Sequence, residues 1–214
     1  MRILAAALVA AWGVSCSSAG AAPERAWTPL FNGKDLTGWV SNGTAVWKAE
    51  EGILVGGQEG DPRRGGLLST TGAYKNFELS LDFLIDEHGK YNSGVYLRND
   101  AGTSGQTTYQ VNIGRGAVGE YCGGVVIHKG KGIEWLGKGD ERDEVRKPLA
   151  WNTLRILARG PHIEVDLNGV RVADVTDPAP PPRFLEAGVI GLQTYGAEGH
   201  SGFVKFRNVR IREL

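Results

Sequence analysis

Apolar and polar side chains alternate along almost every ordered stretch of this chain, a period of two that belongs to β-strands. Phe77, Leu79, Leu81, Phe83 and Ile85 share one face of a long strand, and Glu78, Ser80 and Asp82 share the other. Val46-Trp47-Lys48-Ala49 and Ile53-Leu54-Val55 flank Glu50-Glu51-Gly52 and predict a short hairpin. Further strands are predicted over residues 94–98, 108–113, 124–128, 153–158, 188–193 and 203–212. In the last of these the apolar positions change parity at Arg207-Asn208, which predicts a bulge. No helix longer than a turn or two is predicted.

The clearest local element is a hairpin over residues 162–175. Asn168-Gly169 is the favoured pair for a two-residue type I′ turn. That turn sets Leu167 opposite Val170, Val165 opposite Val172, and Asp166 opposite Arg171 as a charge pair. Four prolines in residues 178–182 predict an extended surface loop. Residues 129–149 are charged and weakly patterned, and read as a long loop with a small hairpin around Ile133 to Leu136.

More than ten strands separated by glycine turns point to an all-β sandwich in one domain. The 32 glycines among 214 residues are roughly twice the average usage of about 7%, as turns in such a protein require. The 24 basic and 24 acidic side chains balance. With no basic stripe, a nucleic-acid partner is excluded from the expectations.

Residues 1–21 read as a secretory signal peptide: Arg2, an apolar run over 3–14, then Ala19 and Ala21 before the cut. The run is too short for a membrane span, which needs roughly 20 residues. A secreted or periplasmic protein is expected. Gly13-Val14-Ser15-Cys16 offers the alternative of a lipoprotein anchored through Cys16. The only other cysteine, Cys122, reads as a small buried hydrophobe.

Parity selects the side chains opposite the core. These are Tyr96 and Arg98 on one strand, Gln110 and Asn112 on the next, His128 on a third, and Gln193 near the end. On a solvated face they would do nothing further; gathered in one hollow they suit a sugar. Arg98 offers a forked donor and Tyr96 an aromatic ring. His128 has an ordinary pKa near 6.5, suited to proton transfer. Trp135 is the candidate site wall, whereas Trp39, Trp47 and Trp151 read as packing. No cofactor or metal is expected, because no His-x-His, His-Glu-x-x-His or Cys-x-x-Cys spacing occurs. Asp140, Glu141 and Asp143 could approach calcium, but that charge run reads as a solvated loop.

Four segments carry a family resemblance. They are Leu-Phe-Asn-Gly-Lys-Asp-Leu-Thr-Gly-Trp at 30–39, Asn-Ser-Gly-Val-Tyr-Leu-Arg at 92–98, Gly-Leu-Gln at 191–193, and Phe-Arg-Asn-Val-Arg-Ile-Arg-Glu-Leu at 206–214. In this order and spacing the chain resembles the 3-keto-disaccharide hydrolase domain family, over residues 27–214. The resemblance implies a concanavalin-like jelly roll of two antiparallel sheets. It also implies hydrolysis of 3-keto-glycosides, with the carbon-3 ketone acidifying the hydrogen on carbon 2 so that the aglycone leaves by elimination before water adds. His128 and Arg98 would then be catalytic, with Glu120 and Glu134 as alternative bases. Tyr96, Gln110, Asn112, Gln193 and Trp135 would bind the sugar. Members of the family commonly carry Glu-x-Gln where this chain has Gln110 and Asn112, and a tyrosine that the segment 122–128 lacks. Those departures keep a lectin-like carbohydrate-binding module as the alternative function.

Overall fold

A computed structural model describes residues 25–57, 65–85, 92–114, 119–129, 132–195 and 202–214. The expected signal peptide, with Cys16, lies outside the described residues. The strands are β1 (Thr28–Pro29), β2 (Trp39–Gly43), β3 (Val46–Glu50), β4 (Ile53–Gly57), β5 (Gly66–Tyr74), β6 (Phe77–Ile85), β7 (Ser93–Asn99), β8 (Tyr109–Ile113), β9 (Val125–Lys129), β10 (Gly132–Gly137), β11 (Asn152–Arg159), β12 (His162–Leu167), β13 (Val170–Thr176), β14 (Gly188–Thr194) and β15 (Phe203–Glu213). One short 3-10 turn, Pro182–Leu185, follows the proline run.

All strand pairs are antiparallel and form two sheets. The first runs β13-β12-β11-β6-β15-β4-β3, with β1 beside β15; the second runs β10-β9-β8-β7-β14-β5-β2. Their facing sides make one core. Leu79, Leu81 and Phe83 of β6, Ile156 of β11 and Phe206 of β15 meet Val95 and Leu97 of β7, Val111 of β8, Ile127 of β9 and Leu192 of β14. Each such side chain taken from water stabilises the fold by roughly 1.5–3 kcal/mol before entropy is counted. Trp39 and Trp47 are buried with this core, and Trp47 stacks on Phe206. Trp151 is half-buried beneath the Arg207 guanidinium.

Two of the three predicted hairpins form as expected; the small one around Ile133 to Leu136 is instead a single strand, β10, paired with β9. Glu51 and Gly52 join β3 to β4, and Asn168 and Gly169 join β12 to β13, all four with the positive φ of a type I′ turn. Leu167 pairs with Val170, and Asp166 with Arg171, as expected. Val165, however, pairs with Ala173 rather than Val172. Val172 is an extra residue in β13, and the bulge turns it toward Gly123 in the second sheet's end loop. The bulge in β15 forms at the predicted place, with Asn208 at φ +54°. Residues 132–137 are a full edge strand on β9, so Trp135 stands on a strand rather than in a loop.

The segment 30–39 holds itself. Asn32 Oδ1 accepts from the backbone N–H of Lys34 and Asp35, and Asp35 Oδ1 accepts from Asn32 Nδ2 and the Thr37 N–H. Those donors pull the Asp35 carboxyl down to a pKa of about 2. The Trp39 indole donates to the Leu30 carbonyl and closes the segment.

Candidate functional site on the outer face of the second sheet

Five strands of the second sheet carry the candidate site. Across them Trp135, Val126, Gln110, Tyr96 and Gly191 are successive register partners. With strands about 4.8 Å apart, this row spans roughly 19 Å from β10 to β14. The neighbouring row holds Asn112 beside Gly94. All of these positions have the parity opposite to Val111, Val95 and Leu192, which lie in the core.

Glycines shape the surface. The Gln110 side chain lies over Gly94, where an added Cβ would come 2.3 Å from Nε2. With that space open, Gln110 reaches from β8 across β7 and donates to Gln193 Oε1 on β14 at 3.1 Å. The Trp135 ring lies over Gly124, where a Cβ would come 2.5 Å from the indole. The Tyr121 ring meets Trp135 edge-on, with centroids 5.1 Å apart. Gly191 leaves its space to Tyr96, Leu67 and Ser69.

Tyr96, Gln110 and Asn112 are buried, and Gln193 and Trp135 are half-buried. Burial drives the Tyr96 phenol pKa up, aided by nearby Tyr195, so Tyr96 stays a protonated hydrogen-bond donor. The amide pair leaves Gln110 Oε1 as an acceptor and the Gln193 amide as a donor. Among the described strand positions of this face there is no carboxylate.

The structure therefore brings Tyr96, Gln110, Asn112, Gln193 and Trp135 onto one face, with different roles. Asn112 does not offer its donors to a ligand. Its Nδ2 donates to the carbonyls of Gly114 and Tyr121, so it ties both ends of a loop and positions Tyr121 against Trp135. His128 sits on β9 opposite Ile133, and its side chain lies outside the described residues. Glu134 takes the core-side parity of Ile127, its partner, and so is turned away from the row containing Trp135. Glu120 adjoins Tyr121 in the end loop.

Arg98 is not part of this face. It is 0% exposed, and its guanidinium donates to the backbone carbonyls of Lys75, Gly160 and Phe184. The reason is a bulge. Tyr96 pairs with Gly191 but Asn99 pairs with Val189, so β7 has one residue more than β14 there. Arg98 takes φ +56° in the bulge, and alternation fails at that residue. Gly188 supplies the room, since a Cβ there would come 2.3 Å from the Arg98 carbonyl oxygen. Arg98 is a clamp joining the β5–β6 turn, the β11–β12 turn and the 3-10 turn.

Other expectations settle similarly. Asp140 accepts from the backbone N–H of Glu144, Val145 and Arg146, Asp143 pairs with Arg146, and Glu141 with Lys138. That run orders its own loop. Cys122 is buried, and burial pushes its thiol up to a pKa of about 12. One residue escaped notice: Tyr195 follows Gln193 by two and so shares its face, 41% exposed and electrostatically coupled to Tyr96. Extending the parity of Gln193 by one step would have found it.

Solved structures share this architecture. A candidate glycosyl hydrolase from Parabacteroides distasonis is 28% identical, with 88% of this chain and 100% of that chain covered at a TM-score of 0.62. A Bacillus subtilis protein of galectin-like fold is 14% identical, with 88% and 94% covered at 0.62. The carbohydrate-binding module CBM66 of Bacillus subtilis is 17% identical, with 85% and 98% covered at 0.60. The last two likenesses are of fold alone, and they agree with an all-β jelly-roll sandwich. No curated protein matches the chain. The model of the 3-keto-α-glucoside-1,2-lyase-like domain matches residues 26–212, almost the whole of the described sandwich, and the chain belongs to that family.

Proposed function

We propose that this protein cleaves 3-keto-glycosides on the outer face of the second sheet, by elimination followed by hydration. The observation that carries the reading is the Gln110–Gln193 amide pair laid over Gly94, with Tyr96, whose phenol burial keeps protonated, as the register partner of Gln110. It is a neutral donor-and-acceptor set suited to a ketone flanked by hydroxyls. Ordinary glycosidases need two carboxyl groups astride the bond, about 5–10 Å apart. The described strand positions of this face offer none, whereas a ketone at carbon 3 makes such a pair unnecessary.

In this scheme a base takes the proton from carbon 2, the carbon 1–oxygen bond breaks, and the aglycone leaves with its oxygen, which takes a proton from the protonated base or from water. The negative charge that builds on the ketone oxygen is met by the Tyr96 hydroxyl and the Gln193 amide. Water then adds across the double bond, its hydroxyl to carbon 1 and a proton to carbon 2. His128 is assigned as the base from its place on β9. Arg98, expected to be catalytic, is spent on backbone carbonyls, and Tyr96 faces the ketone instead. Trp135 stacks on the ring beyond the cleaved bond. The protein acts outside the cytoplasm, exported through residues 1–21 or held at Cys16.

The test is aglycone release from a 3-keto-glucoside and from its unoxidised parent, run in heavy water. Release from the keto sugar alone, with deuterium at carbon 2 of the product, supports the reading. Release from the parent, or retention of the original hydrogen, overturns it. The replacement of the family's common glutamate by Gln110 favours a second reading, a carbohydrate-binding module. It requires no release from either compound and measurable binding of the unoxidised sugar.

A further inference from the structure

On the opposite side of the molecule, the β12–β13 hairpin gathers a histidine and two carboxylates on the outer face of the first sheet. Glu164 and Asp174 are register partners, and so are His162 and Thr176. His162 and Glu164, two apart on β12, therefore share a face with Asp174 of β13. His162 Nε2 lies 3.0 Å from Glu164 Oε1 and 3.6 Å from Asp174 Oδ1. The three ligand-type atoms lie within 4.8 Å of one another.

We propose that His162, Glu164 and Asp174 bind a divalent first-row transition ion. The second atom of each group has a different partner that aims the first. Thr176 Oγ1 meets His162 Nδ1 at 3.0 Å, which leaves Nε2 to face the carboxylates. Arg171 Nη1 lies 2.6 Å from Glu164 Oε2 and 3.7 Å from Asp174 Oδ2, so it holds the far oxygens of both. Metal-binding histidines and carboxylates are oriented by such outer partners.

The geometry and charge agree. A tetrahedral ion with bonds of about 2.0–2.2 Å keeps its ligand atoms about 3.3–3.6 Å apart, and the present separations bracket that range. Asp166 also pairs with Arg171. With neutral imidazole, the three carboxylates outweigh Arg171 and Arg159, the register partner of His162, by one negative charge, a balance that favours a cation. One nitrogen and two oxygen donors suit zinc and its neighbours rather than calcium, which takes six to eight oxygens. Asp174 is exposed, so a fourth position remains for water. The ion would tie the sheet's edge strand β13 to β12. The site is independent of the proposed enzyme activity.

The test is calorimetric titration of the tag-free whole chain with Zn2+, alongside thermal unfolding with and without the ion. One ion per chain is expected, with a Tm rise in the wild type. Both are lost in His162→Ala, and affinity falls about tenfold in Thr176→Val. Co2+ should give visible absorption bands that vanish in His162→Ala. No stoichiometric binding by the wild type, or binding and a Tm rise that survive in His162→Ala, overturns the proposal.

Discussion

Gln110 and Gln193 stand on strands that are not neighbours, and their amides meet only because Gly94 lies between them. A methyl group at Gly94 would occupy the place of the Gln110 amide. Gly94 has no positive φ, so its backbone accepts alanine without strain. Gly94→Ala is therefore expected to fold at a cost of roughly 1–3 kcal/mol and to lose the amide pair. The check is kcat/KM on a 3-keto-glucoside beside urea unfolding. Gln193→Ala should reproduce the kinetic loss with a smaller effect on stability.

Trp135 and Tyr195 are aromatic side chains at this face that retain exposure. Stacking on either should contribute about 0.5–1.5 kcal/mol, or roughly 2–13-fold in Kd. Trp135→Ala and Tyr195→Ala are expected to weaken sugar binding by that factor with little change in Tm. Asn112→Ala should imitate Trp135→Ala more weakly, since it releases Tyr121 from its loop. Ligand titration followed by tryptophan fluorescence measures the last two.

Arg98→Met is expected to damage stability rather than chemistry. Three backbone carbonyls lose their donor, and each such loss costs about 1–3 kcal/mol, so the total is on the order of 3–9 kcal/mol. Activity per folded molecule should match the wild type. An equal loss of kcat at undiminished stability would return Arg98 to the active site.

This residue also marks where sequence reading ends. Alternation located the long strand β6, the core of β7 to β9 and the face carrying Gln110 and Gln193. Asn168-Gly169 announced its turn because that conformation demands those residue types. The bulge at Arg98 left no such trace. An arginine occupies the positive-φ position, and the glycine that makes room, Gly188, lies ninety residues away on another strand. The use of Asn112 on backbone carbonyls was equally hidden, because a polar residue on an outer face reads the same whether it meets a ligand or a loop. The His162, Glu164 and Asp174 cluster depends on strand pairing, so no linear spacing encodes it.

Asp35 gives a pH prediction. Its folded pKa lies near 2, below the ordinary 3.8, so its contribution to stability is fully present above about pH 5. It declines as pH falls through 3.8 toward 2. Wild type and Asp35→Ala should differ in urea midpoint at pH 7, and the difference should shrink as pH falls below 3.8 and be smallest below pH 2.

Cys122 should resist alkylation. With the thiol raised to about 12, almost no thiolate exists at pH 8, and the side chain is covered. Iodoacetamide is expected to label it only after unfolding, as mass spectrometry would report.

The segment 30–39, which helps to reveal the family, points its Asn32, Asp35 and Trp39 groups at its own backbone. Its polar groups are spent on holding the fold. The side chains around Gln110 can therefore be exchanged without disturbing this staple, so the marker of kinship and the candidate site are separate pieces of the chain.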